Sequence, residues 1–163
     1  MHPFDPIRAA KTLRKHDVQF VVIGGFASRL WGSPTLTNDL DICYARDEAN
    51  LGRLAEALKE LHAALRGAPE NVPFVLDART LRAGDHFTFE TVAGNLDLLG
   101  SPSGVGSFEA LLRASTGMEI ARGLTIPVAS LYDLIKMKRA AGRPKDLIEV
   151  EVLSALQDEI DSN

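Results

Sequence analysis

The chain is short of cysteine, of basic charge in excess and of long apolar runs, and each shortage excludes something. Its one cysteine, Cys43, cannot close an intrachain disulfide. Lying inside the apolar run "DLDICYA", it reads as a buried thiol of a reducing compartment. No window reaches the roughly 20 apolar residues that a membrane-spanning helix needs, and "MHPFDPIRAAKTLRKHD" lacks the apolar core of a signal peptide. A cytoplasmic protein with no membrane partner is expected. The 18 Lys and Arg stand against 22 Asp and Glu, a net charge of −4. That excludes a surface that grips nucleic acid throughout, though not a local basic patch. His2, His16, His62 and His86 are scattered, with no partner at zinc-ligand spacing. Internal repeats, low-complexity tracts, a P-loop and a three-glycine dinucleotide fingerprint are missing as well.

What remains is an ordinary globular composition, 45% apolar and 25% charged in 163 residues, sized for one domain with its own core. Ile7, Ala10 and Leu13 recur at helical spacing over 5–16. "VQFVVIG" (18–24) reads as a buried strand, 25–32 as a short helix and "DLDICYA" (39–45) as a second strand. Leu51, Leu54, Leu58, Leu61 and Leu65 predict an amphipathic helix over 47–66, ended by Gly67. "VPFVLDA" (72–78), 86–92 and 95–100 read as strands, the last two joined as a hairpin at Ala93-Gly94. A Gly/Ser loop (101–107), a short helix (108–114), an extended stretch (123–130) and two helices (130–142 and 144–160) complete the chain. The class is α+β, with helices on a partly antiparallel mixed sheet.

Three acids stand out in this pattern. Asp39 and Asp41 are two apart on a strand, so they share one face at a Cα separation of roughly 6.5 Å, while Leu40 and Ile42 enter the core. Such carboxylates repel unless a cation lies between them, and a hard divalent ion such as Mg²⁺ suits oxygen ligands. Asp97 in "NLDLL" repeats the arrangement. If its strand lies beside the first, three carboxylates converge, enough for two metal ions. A solvated strand face is the alternative for each acid taken alone.

Gly24 and Gly25 fall at a strand-to-helix junction, where backbone N–H groups approach a phosphate closely, with the Ser28 hydroxyl one turn on. A tight turn needing positive φ is the alternative. "KMKRAAGRPK" (136–145) carries five cations and no acid. Lys138 falls on the apolar stripe of Leu131, Leu134, Ile135 and Ala141, whereas Lys136 points away. An inward lysine calls for an anionic partner. Arg143, in the break between helices, is a free candidate for phosphate contact. Asp146 sits in the first turn of the last helix, where an acid also complements the helix dipole.

Together these residues resemble the nucleotidyltransferase superfamily of the DNA polymerase β type. The resemblance rests on Ile23-Gly24-Gly25, then Asp39-Leu40-Asp41-Ile42, then Leu96-Asp97-Leu98, and covers roughly residues 18 to 153. "LIKMKRAAGRPKDLIEV" is similar to the corresponding segment of small bacterial members, both the toxin-like AbiEii/MenT type and the aminoglycoside and lincosamide nucleotidyltransferases. The resemblance implies a polymerase-β-like core with two C-terminal helices, and Mg²⁺-dependent transfer of a nucleoside monophosphate from an NTP to a hydroxyl. By motif, Gly24 and Gly25 meet the triphosphate and Asp39 and Asp41 bind Mg²⁺. Asp97 completes the metal site or acts as base, and Lys138 with Asp146 matches the later pair. The implied acceptors are RNA or tRNA ends, a protein hydroxyl or an antibiotic. A cognate antitoxin, a homodimer and a catalytically silent binding module are further readings. Two departures stand out. Many relatives carry an arginine shortly before the first acid, where this chain has Pro34-Thr35-Leu36-Thr37, and many have Asp in place of Glu149.

Overall fold

A four-residue strand buried on both faces organises the molecule. In the computed structural model, which describes residues 2–69, 71 and 73–163, β1 (Phe20–Ile23) is apolar and buried at every position. The other strands are β2 (Asp39–Tyr44), β3 (Ala64–Leu65), β4 (His86–Thr91), β5 (Gly94–Leu99), β6 (Thr116–Ala121) and β7 (Leu124–Val128). They form one mixed sheet in the order β3-β4-β5-β2-β1-β7-β6. β1 runs antiparallel to β2 and parallel to β7, and β2 runs parallel to β5.

The helices are α1 (Pro6–Lys15), α2 (Gly24–Trp31), α3 (Glu48–Glu60), α4 (Ala78–Ala83), α5 (Phe108–Ala114), α6 (Leu131–Ala141) and α7 (Pro144–Asp161). Their starts follow capping chemistry. Asp5, Asp47, Ser107 and Ser130 each accept a hydrogen bond from the backbone N–H three residues on, satisfying a donor the helix leaves free. α1 buries Ala9, Ala10 and Leu13, and α3 buries Leu51, Leu54 and Leu58, in one core with Leu40, Ile42, Leu96 and Leu98. At the far end of α2, the Trp31 indole N–H donates to the Ala129 carbonyl at 2.8 Å and ties that helix to the start of α6.

Hydrophobic periodicity misreads one boundary and two strands. The helix expected to reach residue 66 ends at Glu60 with Leu61 as its C-cap. His62 then adopts φ 53°, the chain reverses, and Leu65 lies in β3 opposite Phe89. Its spacing from Leu61 fits a helix only by coincidence. The strand expected over 72–78 is absent from 73–78, while Val72 lies outside the described residues. There Phe74 packs edge-on to Phe87 and Phe89, and Asp77 caps α4 by accepting from Thr80. The apolar side chains of that stretch fill an aromatic cluster and not a ladder. β6 was not anticipated. It is an edge strand that turns at Gly123, φ 75°, and pairs antiparallel with β7. The hairpin at Ala93-Gly94 is present, with Gly94 at φ 92°.

Candidate active site

The alternation of β2 sets out the site. Leu40 and Ile42 are buried, while Asp39 and Asp41 lie on the opposite, partly open face. Because β5 is parallel to β2 in register, Asp41 falls directly opposite Asp97, and Asp39 opposite Asn95. Adjacent strands are about 4.8 Å apart, so two strands bring three carboxylates together. Asn95 donates to Asp39 Oδ1 at 3.1 Å.

Asp41 is the most perturbed of the three. Burial, reinforced by Asp97 and Asp39, pushes its carboxyl up to about 7, against the opposing pull of Lys138 and Arg66. Its Oδ1 is buried and has no hydrogen-bond partner. Asp97 is raised as well, chiefly by burial, with Arg66 acting the other way. An orphaned carboxylate oxygen among like charges fits a hard cation with oxygen ligands. As they stand the acids do not close on a common point. No group of three or more His, Cys, Asp or Glu among the described residues is arranged to hold a metal ion, and the Arg66 guanidinium reaches two of them. Its Nη2 donates to Asp97 Oδ1 at 2.8 Å, and its Nη1 is 3.8 Å from Asp39 Oδ1. Arg66 was not singled out from the sequence.

The glycines serve this face. Gly24 opens α2 at φ +70°, and a Cβ there would collide with Asp41 Oδ2. Only glycine meets both demands. A Cβ on Gly25 would come within 3.0 Å of the Thr37 side chain. Ser28 does not reach the cleft. It is buried, and its hydroxyl donates to the Gly24 carbonyl at 3.2 Å.

Across from the acids stand α6 and α7. Lys138 turns inward as its helical phase implies and sits 3.6 Å from Asp146 Oδ1. Asp146, 1% exposed, does more than complement a dipole. It accepts from Arg143 Nε at 2.6 Å and from the Arg143 backbone N–H at 3.2 Å. The Arg143 hydrogen bond, with Lys138 adding charge, holds its carboxyl below the usual range. Lys136 packs over the Tyr132 ring instead, 4.6 Å from its centroid. The basic run is therefore divided. Lys138, Arg143 and Lys145 line an open cleft of about 450 Å³ that also holds Asp39, Asp41 and Asp97. Lys138 and Arg143 are shared with an adjoining hollow of about 250 Å³ whose apolar side includes Pro102, Met137 and Ala140.

Glu149 and the loop before β2 complete the cleft wall. Glu149 is buried and accepts from the hydroxyls of Ser33 and Thr35, each at 2.7 Å.

No family model matches the sequence, and no curated protein matches it either. Solved structures do. A Thermotoga maritima protein assigned as a nucleotidyltransferase is 18% identical, with a TM-score of 0.53 over 99% of this chain and 98% of its own. The lincosamide antibiotic adenylyltransferase LnuA, solved with lincomycin bound, is 11% identical with a TM-score of 0.61, covering 93% and 95% of the two chains. ANT(2″)-Ia, solved with adenylyl-2″-tobramycin, is 14% identical with a TM-score of 0.54, covering 94% and 93%. The chain has the polymerase-β-like fold of these nucleotidyltransferases.

Proposed function

We propose that the protein is a Mg²⁺-dependent nucleotidyltransferase, moving a nucleoside monophosphate from an NTP to an acceptor hydroxyl. One observation carries the reading. Asp39, Asp41 and Asp97 share one face of two parallel neighbouring strands, and Asp41, packed beside Gly24, carries a buried, unpartnered oxygen.

In this reading Asp39 and Asp41 are the metal ligands. Bound there, Mg²⁺ supplies charge neutralisation for the triphosphate and its departing pyrophosphate. The residues of the chain do the positioning. Gly24 and Gly25 keep the start of α2 free of side chains for close approach of the phosphates. Lys138 and Arg143, held by Asp146, offer charge to the phosphate chain. The acceptor oxygen forms a bond to the α-phosphorus, the bond from that phosphorus to the bridging oxygen breaks, and pyrophosphate leaves. In this reading Asp97, raised by burial, takes the hydroxyl proton.

Two acceptor classes follow from the lining. Of the five cations at 136–145, only Lys138, Arg143 and Lys145 line the cleft, and the triphosphate occupies charge of that order. One class is a small molecule bearing hydroxyls, which adenylyl-2″-tobramycin represents in ANT(2″)-Ia. An RNA or tRNA end, the toxin-like reading, needs Lys145 and Arg139 to track its backbone.

Incubation with each α-³²P-labelled NTP and Mg²⁺ tests both, using aminoglycosides, lincosamides, total tRNA and the protein itself as acceptors. Label transfer lost in Asp41→Asn supports the reaction and names the acceptor. Absence of both transfer and Mg²⁺-dependent NTP binding overturns it.

A further inference from the structure

We propose that Arg66 is a built-in second cation of the site. Its guanidinium engages Asp97 and Asp39, leaving carboxylate oxygens for one metal ion per chain and not for two. This rests on the nucleotidyltransferase reading above.

The placement is structural before it is electrostatic. Arg66 follows β3 directly, and its backbone N–H donates to the Thr88 carbonyl at 2.9 Å. Thr88 lies opposite Asp97 across β4 and β5, and Asp97 opposite Asp41 across β5 and β2. The side chain therefore lies along one cross-strand row and ends over the acids. The side chain is 28% exposed.

Charge explains why it stays there. Three carboxylates on neighbouring strands repel one another, and Arg66 offsets two of them through Asp97 Oδ1 and Asp39 Oδ1. A guanidinium remains charged at any working pH, and its planar fork matches two oxygen acceptors. Asp41 is the carboxylate that the ion pairs of Arg66 do not include, and its Oδ1 is orphaned. Arg66 approaches Asp97 and Asp39 at their Oδ1 atoms, which leaves Asp41 and the far oxygen of Asp39 to a metal. A second ion between Asp39 and Asp97 would have to expel a partly buried guanidinium from a 2.8 Å ion pair and meet its repulsion at close range. Arg66 is accordingly a positioning residue for Asp97 and Asp39.

Native mass spectrometry with Mn²⁺ and inorganic tripolyphosphate, which carries the phosphate chain of any NTP, counts the ions retained per chain. Counts are taken above those of Asp41→Asn. One Mn²⁺ is expected in the wild type and in Arg66→Lys, and two in Arg66→Gln. Two in the wild type, or one in Arg66→Gln with its circular dichroism unchanged, overturns the inference and leaves the nucleotidyltransferase reading standing. Neither Mn²⁺ nor tripolyphosphate on the wild type brings down both.

Discussion

Thr35 and Glu149, 114 positions apart, are joined by a 2.7 Å hydrogen bond from the threonine hydroxyl to the glutamate Oε2. They stand where the sequence departs from its resemblance twice, once in the segment before the first acid and once in the last helix. The departures are one local arrangement. Without an arginine in the loop, Glu149 is bound by two hydroxyls, from Ser33 and Thr35, and this pins the loop that leads into Asp39. Glu149→Ala leaves the buried Ser33 hydroxyl without its acceptor and returns the exposed Thr35 hydroxyl to water. The expected loss is about 1–3 kcal/mol of stability, read as a lower thermal midpoint, with Glu149→Gln losing less. A midpoint unmoved by Glu149→Ala would show that the loop is held by other means.

Gly24→Ala is expected to damage stability and site together. The left-handed φ costs a side chain about 1–2 kcal/mol, and the new methyl would displace the Asp41 carboxylate. Thermal unfolding checks the first effect and Mg²⁺-dependent tripolyphosphate binding the second. Retained affinity in the variant would mean that Asp41 has another way to turn.

Metal-free stability should fall as pH rises through a defined window. Asp41 holds its proton up to about 7 in the folded protein, while the unfolded chain releases it near 4. Between those values the folded state binds more protons, so rising pH favours unfolding; Asp97, raised too, adds to the slope. Glu60, Asp77 and Asp146 are lowered and act in the opposite sense, as pH falls below about 4. The thermal midpoint without metal is therefore expected to drop between about pH 4 and pH 7, to drop less in Asp41→Asn, and to recover at the upper end with Mg²⁺. A flat wild-type profile would contradict the burial of this carboxyl.

Asp146→Asn should weaken phosphate binding more than it weakens the fold. Asp146 anchors Arg143 and Lys138, but the Arg143 side chain is 61% exposed, and solvent screening keeps the stability lost small. Nucleotide affinity, measured by isothermal titration, is expected to fall several-fold while the circular dichroism stays native. An affinity equal to wild type would remove Arg143 and Lys138 from the phosphate site.

The legible part of the site was the part governed by strand alternation. Asp39, Asp41 and Asp97 are acids at period-two positions in apolar runs, and the inward phase of Lys138 follows from the stripe of Leu131, Leu134 and Ile135. Arg66 was hidden because Leu65 extends the periodicity of α3 by one more step, which folds the arginine into a helix that in fact stops at Glu60. The positive φ of His62, the reversal's mark, has no compositional signature as a glycine would. Glu149 and Ser28 show the same limit from opposite sides. One is drawn into the cleft wall by a loop far away in sequence, and the other is withdrawn from it by a bond to Gly24.

Trp31 is the chain's single tryptophan, and its bond to Ala129 places it where α2 meets the start of α6. The two elements that carry Gly24 and Lys138 thus share one native fluorophore. Its emission colour follows the seating of one helix against the other, without any label, and a shift on adding tripolyphosphate would make ligand entry visible in real time.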